Sequence, residues 1–467
     1  MKKIICIFLC LVFIFTMYGC NNSILKEENN NVDNNETDLF SNSVFKLNSD
    51  IDYSELLHLE ALNLTQFKSN NLGFSIVGSK GLRDKSEYIY SRFEEIGLKN
   101  VSYIPVITDG WELSDITMVY PCTCSEAGYF TLSKVGVYPS NFNFNETVID
   151  FIHVDNGNIE KYDGIDVTRK GVIINTDVDI VEKVSIAKSM GAVFVIFKSV
   201  NVIDGGFNQI DLTLRMPDDI PVFSISANSY STLTKEISYG DSIPITVNGS
   251  SLLTENVEHN FVMGEIVGKE TDKYIYITAN MDTYFQGYQS SCVSIAEMFI
   301  IADILIDNDY LPEYTIRFLV TSGSEWSSID NSKFNIGLKH YLSDISIEDI
   351  KFVIVIDGNK FMQNTVFSEI QVSDNLFNII NEYNDSFNYI EYNVINSVGR
   401  IDTYRVSDAL VWNEFIDNII LQAEYKGSVY QYYENSTADA ASLGVDSELC
   451  LFVLNYYLGI VNLLCKK

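Results

Sequence analysis

The sequence predicts an α/β fold, a three-layer sandwich around a largely parallel central sheet, with a β-rich insert interrupting it. From residue 256 to the C-terminus, short apolar runs of strand character alternate with longer segments of helical period. That order builds a parallel sheet covered by helices. Between residues 116 and 255, three strand-like runs surround a single helical one. The chain has 467 residues, with 28 Tyr and 28 Phe, which suits a large folded core rather than disorder.

The first element is an export signal. Lys2 and Lys3 form a basic start, Ile4 to Met17 an apolar stretch, and Gly19-Cys20 a small-residue cleavage site. Roughly 15 apolar residues fall short of the ~20 a spanning helix needs. Cys20 after Gly19 resembles a bacterial lipobox, in which the Cys is diacylated. Residues 1–19 are therefore expected to be a lipoprotein signal peptide, a plain secretory signal or an uncleaved anchor being the alternatives. Residues 20–48, rich in Asn and acids, read as a disordered tether that cannot bury a core. The expected location is extracytoplasmic, lipid-anchored to the bacterial cell membrane.

Residues 49–115 form the first part of the main domain. Leu56, Leu59 and Leu62, then Tyr88, Tyr90, Phe93 and Ile96, have helical spacing, and Gly97 is a stop signal. Gly78-Ser79-Lys80-Gly81 between the two helices is a turn allowing close backbone approach. In the insert, 116–255, strands read at 171–175, 191–196 and 220–226, with a helix at 181–189 carrying Lys183 and Ala187. This succession resembles the protease-associated domain, a non-catalytic module of extracellular peptidases. In the main α/β domain, 256–467, strands read at 261–267, 274–279, 315–321, 352–356 and 419–423. Helices read at 292–305, 333–342, 375–383 and 448–464.

Lys plus Arg number 31 against 63 acidic residues, a net charge of -32, which argues against nucleic-acid binding because a phosphate backbone would be repelled. Outside the signal and Cys20, five Cys remain without regular spacing, so no disulfide framework is implied, although one or two bridges could form outside a cell.

Asn280, Glu325 and Asp357 each stand at or just past the end of a different strand, so the three converge on one sheet edge, where such folds bind ligands. Around them lie Thr278-Ala279-Asn280-Met281-Asp282, Gly287-Tyr288-Gln289-Ser290-Ser291, Ser324-Glu325 and Asn435-Ser436-Thr437-Ala438-Asp439. In frame and order these segments resemble the di-zinc exopeptidases of the bacterial leucyl aminopeptidase and aminopeptidase Y type. The resemblance covers nearly all of the mature body. It implies two zinc ions about 3.5–4 Å apart that activate a bridging water.

The resemblance assigns the metal positions to Asn280, Ser290, Glu325, Asp357 and Asn435, and the general-base position to Ser324. Glu325 and Asp357 match the family's ligands. Asn280 and Asn435 replace His, Ser290 replaces the bridging Asp, and Ser324 replaces the base Glu. Glu434 stands where some relatives carry an oxyanion-binding Tyr, with Tyr433 beside it. Zinc needs nitrogen or charged oxygen donors at about 2.0–2.2 Å, and Asn and Ser supply neutral oxygens. No cofactor is expected, and oxygen-only surroundings would favour calcium or magnesium over zinc. Nor can Ser324 take a proton from water without a neighbouring base. His58, His153, His259 and His340 are expected on the surface or on helices, none placed to serve Ser290, Ser291 or Ser324 as a nucleophile. Trp326 is expected to pack, or to wall a ligand pocket.

The expectation is an aminopeptidase-like protein without family-type peptidase activity, binding peptides or protein termini through Asp282, Glu325, Asp357, Tyr433 and Glu434. The alternative is an active metalloexopeptidase with an oxygen-ligated metal.

Overall fold

The alternation of strand and helix is present in the computed structural model. It describes residues 45–466 except 124, 133, 134, 200–207, 209, 211–215, 218, 325, 327–334, 357–368, 387–396, 401–407, 422–436, 438 and 440. Helix α1 (Tyr53–Leu64) begins at Asp52, whose carboxylate accepts the Ser54 and Glu55 N–H groups left without partners inside the helix. Helix α2 (Lys80–Ile96) is capped by Ser79 and stops at Gly97, whose φ of 94° suits glycine. Strand β1 (Lys99–Leu113) follows.

The segment between residues 114 and 241 contains β2 (Thr117–Pro121), β3 (Tyr129–Thr131), β4 (Gly136–Val137), β5 (Phe142–His153), β6 (Gly171–Ile174), α3 (Ile180–Ser189), β7 (Phe194–Lys198), β8 (Val222–Ile225) and α4 (Ala227–Glu236). Within it β5, β6, β7 and β8 run parallel. Strand β9 (Ser242–Ile266) returns the chain to the main body, 25 residues long. Its first part pairs with β2 and β5, its later part with β1 and, from Val262, with β11 (Tyr314–Thr321). The expected boundary at residue 255 thus falls inside one strand. Asn256 takes φ 56° and opens the expected main domain, yet the ladder to β1 continues past it.

The central sheet continues with β10 (Glu270–Asn280), helix α5 (Val293–Asp307), β11, α6 (Ile336–Asp344), β12 (Ile350–Val355), β13 (Glu369–Val372), α7 (Phe377–Ser386), β14 (Ser397–Arg400), α8 (Asp408–Phe415), β15 (Ile419–Leu421) and α9 (Ser447–Leu464). Strand order is β14-β13-β15-β12-β10-β11-β9, and β15, β12, β10 and β11 are mutually parallel neighbours. Helices cover both faces. Phe318 of β11 meets Phe93 of α2 on one face, and Phe93 in turn meets Phe299 of α5. Its neighbour Leu319 turns to the other face, with Tyr276 of β10 and with Leu338, Tyr341 and Trp412 of the α6–α8 layer. This is the period-two alternation of a strand buried on both sides.

Tyr288–Asp307 and Ser447–Leu464 are long and apolar enough to cross a membrane by length and composition. Their apolar windows are 83% and 67% buried within the fold, as expected of core helices.

Candidate functional site

β10 ends at Asn280, with β11 and β12 beside it, so their carboxyl ends open on one edge. The edge is stitched past the strands: Met281 N–H donates to Thr321 O at 2.9 Å, and Ile356 N–H to Thr278 O at 2.7 Å. Two residues beyond Asn280 lies Asp282, buried at 4% exposure. Its Oδ2 accepts the backbone N–H groups of Gly323 and of Ser324 (3.2 Å for the latter). Its Oδ1 is buried with no hydrogen-bond partner among the described residues. Burial pushes this carboxyl up to about 7, against the pull of the two N–H groups and of the Lys85 charge.

Ser290 is placed by a π-helical turn, Tyr288–Cys292, that leads into α5. The Asp439 carboxylate caps this turn, accepting Gln289 N–H at 2.6 Å and Ser290 N–H at 3.1 Å. Ser291 Oγ donates to Asn280 O at 2.8 Å, tying the turn to the end of β10. Asn280 and Ser290 therefore stand on elements that are bonded to each other, as the spacing of the motif implies. Gly287 opens the turn at φ 55°, where a Cβ would come within 2.5 Å of Thr283 Cγ2.

Three buried ionisable groups at this edge escape sequence reasoning. Lys85, on α2, is fully enclosed and donates to Met281 O at 3.0 Å and Thr283 Oγ1 at 3.2 Å. Asp408, at the start of α8, accepts Thr321 Oγ1 and, at 2.9 Å, Asn335 Nδ2, and burial pushes its carboxyl up to about 6. His259 corrects the expectation of surface or helix histidines. It lies in β9 at 6% exposure, with Nε2 3.0 Å from Thr108 Oγ1 and Nδ1 2.8 Å from Ser322 Oγ, and burial lowers it to about 4. Its hydroxyl partner is Ser322, not Ser290, Ser291 or Ser324. Glu258 and Asn260 on either side disguise it as an exposed position. His153 in β5 is likewise half-buried, with Nε2 2.7 Å from Tyr230 Oη, while His340 on α6 is exposed. A cleft of about 170 Å³ between α2 and β9 is lined by Ser79, Arg83, Glu87, Tyr103 and His259.

Of the residues expected at the site, the structure brings together Asn280, Asp282, Ser290 and Ser324, the last at 7% exposure. Glu325, Asp357, Tyr433, Glu434, Asn435 and Cys20 lie outside the described residues. Trp326 is buried and packs against Trp111, ring centroids 6.0 Å apart, as the packing reading expects. Cys122 is disulfide-bonded, and Cys292, Cys450 and Cys465 are free and buried.

Among the described residues no group of three or more His, Cys, Asp or Glu side chains could hold a metal ion. Among the described residues, the two that the resemblance assigns to metal, Asn280 and Ser290, offer neutral oxygens, which are weak donors to zinc.

No protein-family profile and no curated protein sequence matches the chain. Solved structures match it in fold. A peptidase M28 precursor from Shewanella amazonensis superposes with a TM-score of 0.64 at 15% identity, over 89% of this chain and 94% of that one. A zinc aminopeptidase from Bacillus subtilis gives 0.61 at 16% identity, covering 86% of this chain and 95% of that one. An aminopeptidase from an Aneurinibacillus species gives 0.52 at 15% identity, covering 88% and 93%. The chain is similar to these along nearly its whole folded length and shares their fold.

Proposed function

We propose that this chain is a lipid-anchored, extracytoplasmic protein whose aminopeptidase-like cleft binds peptides or protein termini without family-type hydrolysis. One observation carries the reading. Asp282 is a buried carboxylate at the strand edge, held by two backbone N–H groups on one oxygen and, among the described residues, unpartnered on the other. Around it the metal and base positions are the neutral Asn280, Ser290 and Ser324. An acidic edge of this kind, with Glu325 and Asp357 added, suits a free α-amino group or a basic side chain. The same substitutions remove the nitrogen donors, the bridging acid and the base that the hydrolytic mechanism requires. Residues 116–255 act in this reading as a protease-associated-like cover of the cleft.

The test is a peptide array probed with purified protein and with Glu325→Gln and Asp357→Asn variants. Binding of free N-termini that both variants weaken is the expected result, whereas binding indifferent to both, or none at all, would sink the reading. Aminoacyl-arylamide turnover with and without added divalent ions runs in parallel. Chelator-sensitive hydrolysis with stoichiometric metal would instead establish the oxygen-ligated metalloexopeptidase.

A further inference from the structure

Helix α2 packs on β1 and β9, and the cleft of about 170 Å³ between them is lined by none of the residues expected to bind metal or peptide. Drug-sized ligands fill pockets of about 300–1,000 Å³, so this volume suits one long side chain. Its walls follow the periods of the elements that build them. Arg83, Glu87, Tyr90 and Glu94 succeed one another at helical steps along one face of α2. Tyr103, Pro105 and Ile107 alternate on the exposed side of β1, opposite Val262, Asn260 and Glu258 of β9. Tyr90 stacks on Tyr103, ring centroids 4.6 Å apart and planes at 24°, which joins the two walls. Tyr103 remains 39% exposed and Ile107 50% exposed.

The charges of the cleft are uneven. Glu87 and Glu258 line it, with Leu82 and Tyr103 as its apolar surface. Burial raises the Tyr103 hydroxyl, and Glu87, Tyr90 and Glu94 add to the rise, which places both carboxylates around that ring. Among the described residues none of Glu87, Glu94 and Glu258 is in an ion pair. Arg83, the cation lining the cleft, turns its guanidinium to Gly78 O at 3.0 Å.

We propose that this cleft is a docking site for a lysine or arginine side chain on an extended segment of a partner polypeptide. The methylenes lie along Leu82 and the exposed part of the Tyr103 ring, and the charged head is held between Glu87 and Glu258. A long cationic side chain suits such a place, since its stem covers apolar surface while its head meets an aromatic ring and carboxylates without a competing partner. Ile107 and Pro105, exposed beside the cleft, seat the residues that flank the anchor. The net charge of -32 draws in a basic segment and repels an acidic one. The site is separate from the strand edge and stands whether or not that edge binds peptides.

Isothermal titration of the intact chain tests it, with short peptides acetylated at the N-terminus and amidated at the C-terminus, so that no free terminus is offered to the strand edge. One carries a central Arg between apolar residues, the other Gln in its place. The Arg peptide is expected to bind at least about tenfold tighter than the Gln peptide, since it alone makes both the carboxylate and the ring contacts. Glu87→Gln, Glu258→Gln and Tyr103→Ala should each weaken it about two- to fivefold, and added salt should weaken it further. Arg83→Gln, which removes the competing cation, should strengthen it. Equal binding of the two peptides, or none, overturns the proposal. So does Arg-peptide binding that Glu325→Gln abolishes and Glu87→Gln leaves unchanged, which would assign it to the strand edge. Binding of free spermidine in the cleft with no binding of the Arg peptide would overturn the polypeptide as occupant.

Discussion

Asp439 shows what a single buried carboxylate does here: it holds the turn carrying Ser290 by accepting two consecutive backbone N–H groups. Hydrogen bonds to a charged acceptor contribute about 1.5–3 kcal/mol each, and leaving their donors unpaired adds a desolvation penalty. Asp439→Ala is therefore expected to cost about 3 kcal/mol in urea denaturation, with Asp439→Asn costing less because one acceptor oxygen remains. A loss under about 1 kcal/mol would show that water or a neighbour replaces the cap. The pH dependence follows from His259. Its folded value of about 4 lies below the unfolded value of about 6.5. As pH falls from 6.5 to 4, the unfolded chain takes up a proton that the native chain refuses, so stability falls by up to about 3 kcal/mol. Asp408 and Asp282 work in the opposite sense, since their carboxyls are raised to about 6 and about 7 and the native state holds protons that the unfolded state has lost. His259→Asn is expected to flatten the acid-side loss and unmask the slope of these two acids, and an unchanged profile would contradict the assignment. Asn280 and Ser290 are legible in the sequence because their spacing along the chain is local, whereas Asp439 stands 149 residues from the Ser290 it caps. Lys85, Asp408 and His259 are not, because a charged residue announces its burial only through the tertiary structure around it.

Among the elements, the π turn before α5 is the most constrained. Gly287 combines φ 55° with tight packing, so that an added Cβ would fall 2.5 Å from Thr283 Cγ2 and 2.7 Å from Thr283 Cβ. Left-handed strain of this kind costs about 1–3 kcal/mol, and overpacking adds to it. Gly287→Ala is expected to destabilise by about 2 kcal/mol or more, and Gly287→Asn by a similar amount, because tolerance of positive φ does not relieve the collision. Thr283→Ser in the Gly287→Ala background deletes Cγ2 while keeping the hydroxyl that Lys85 bonds, and should recover part of the loss. A fully tolerated Gly287→Ala would show that the turn relaxes freely. Element by element, α5 and α9 are readable from their long apolar runs, and β10 to β12 from short ones bounded by turns. Strands β1 and β9 are harder. Ser250 and Ser251 carry little strand propensity, and what holds them in a strand is the ladder to β1 and β5, partners remote in sequence.

For the whole molecule, the expected division into a main domain and an insert meets a shared core. Phe74, Ile76, Trp111 and Leu113 from the N-terminal part, with Tyr284, Phe285 and Trp326 from the loops beside the cleft, belong to the same buried cluster as Phe151, Phe194 and Phe223 of the insert. Asn208 and Thr437 add reciprocal backbone and hydroxyl bonds, Thr437 N–H to Asn208 O at 2.8 Å and Asn208 N–H to Thr437 Oγ1 at 3.0 Å. Sequence periodicity marks where strands and helices lie, but it cannot say that two sequence blocks close over one core. The consequence is testable by excising residues 117–248 and joining the flanks with a short Gly-rich turn at the point where Ser114 N–H donates to Ser250 O. An insert resting on the body only at its ends would leave the melting temperature unchanged. With the shared core, removal uncovers a cluster of which eight apolar side chains remain, including Tyr284 and Phe285 directly after Asp282 and Thr283. The trimmed chain is then expected to bind a hydrophobic dye, to melt at least about 10 °C lower, or not to fold, since each large side chain returned to water forfeits about 1.5–3 kcal/mol. A trimmed protein with the parent's melting temperature and no dye binding would restore the view of the insert as a detachable cover. The loss would also reach the cleft: Tyr284 and Phe285, in the loop that carries Asp282, meet Phe74 and belong to the same buried cluster as Phe151, Phe194 and Phe223.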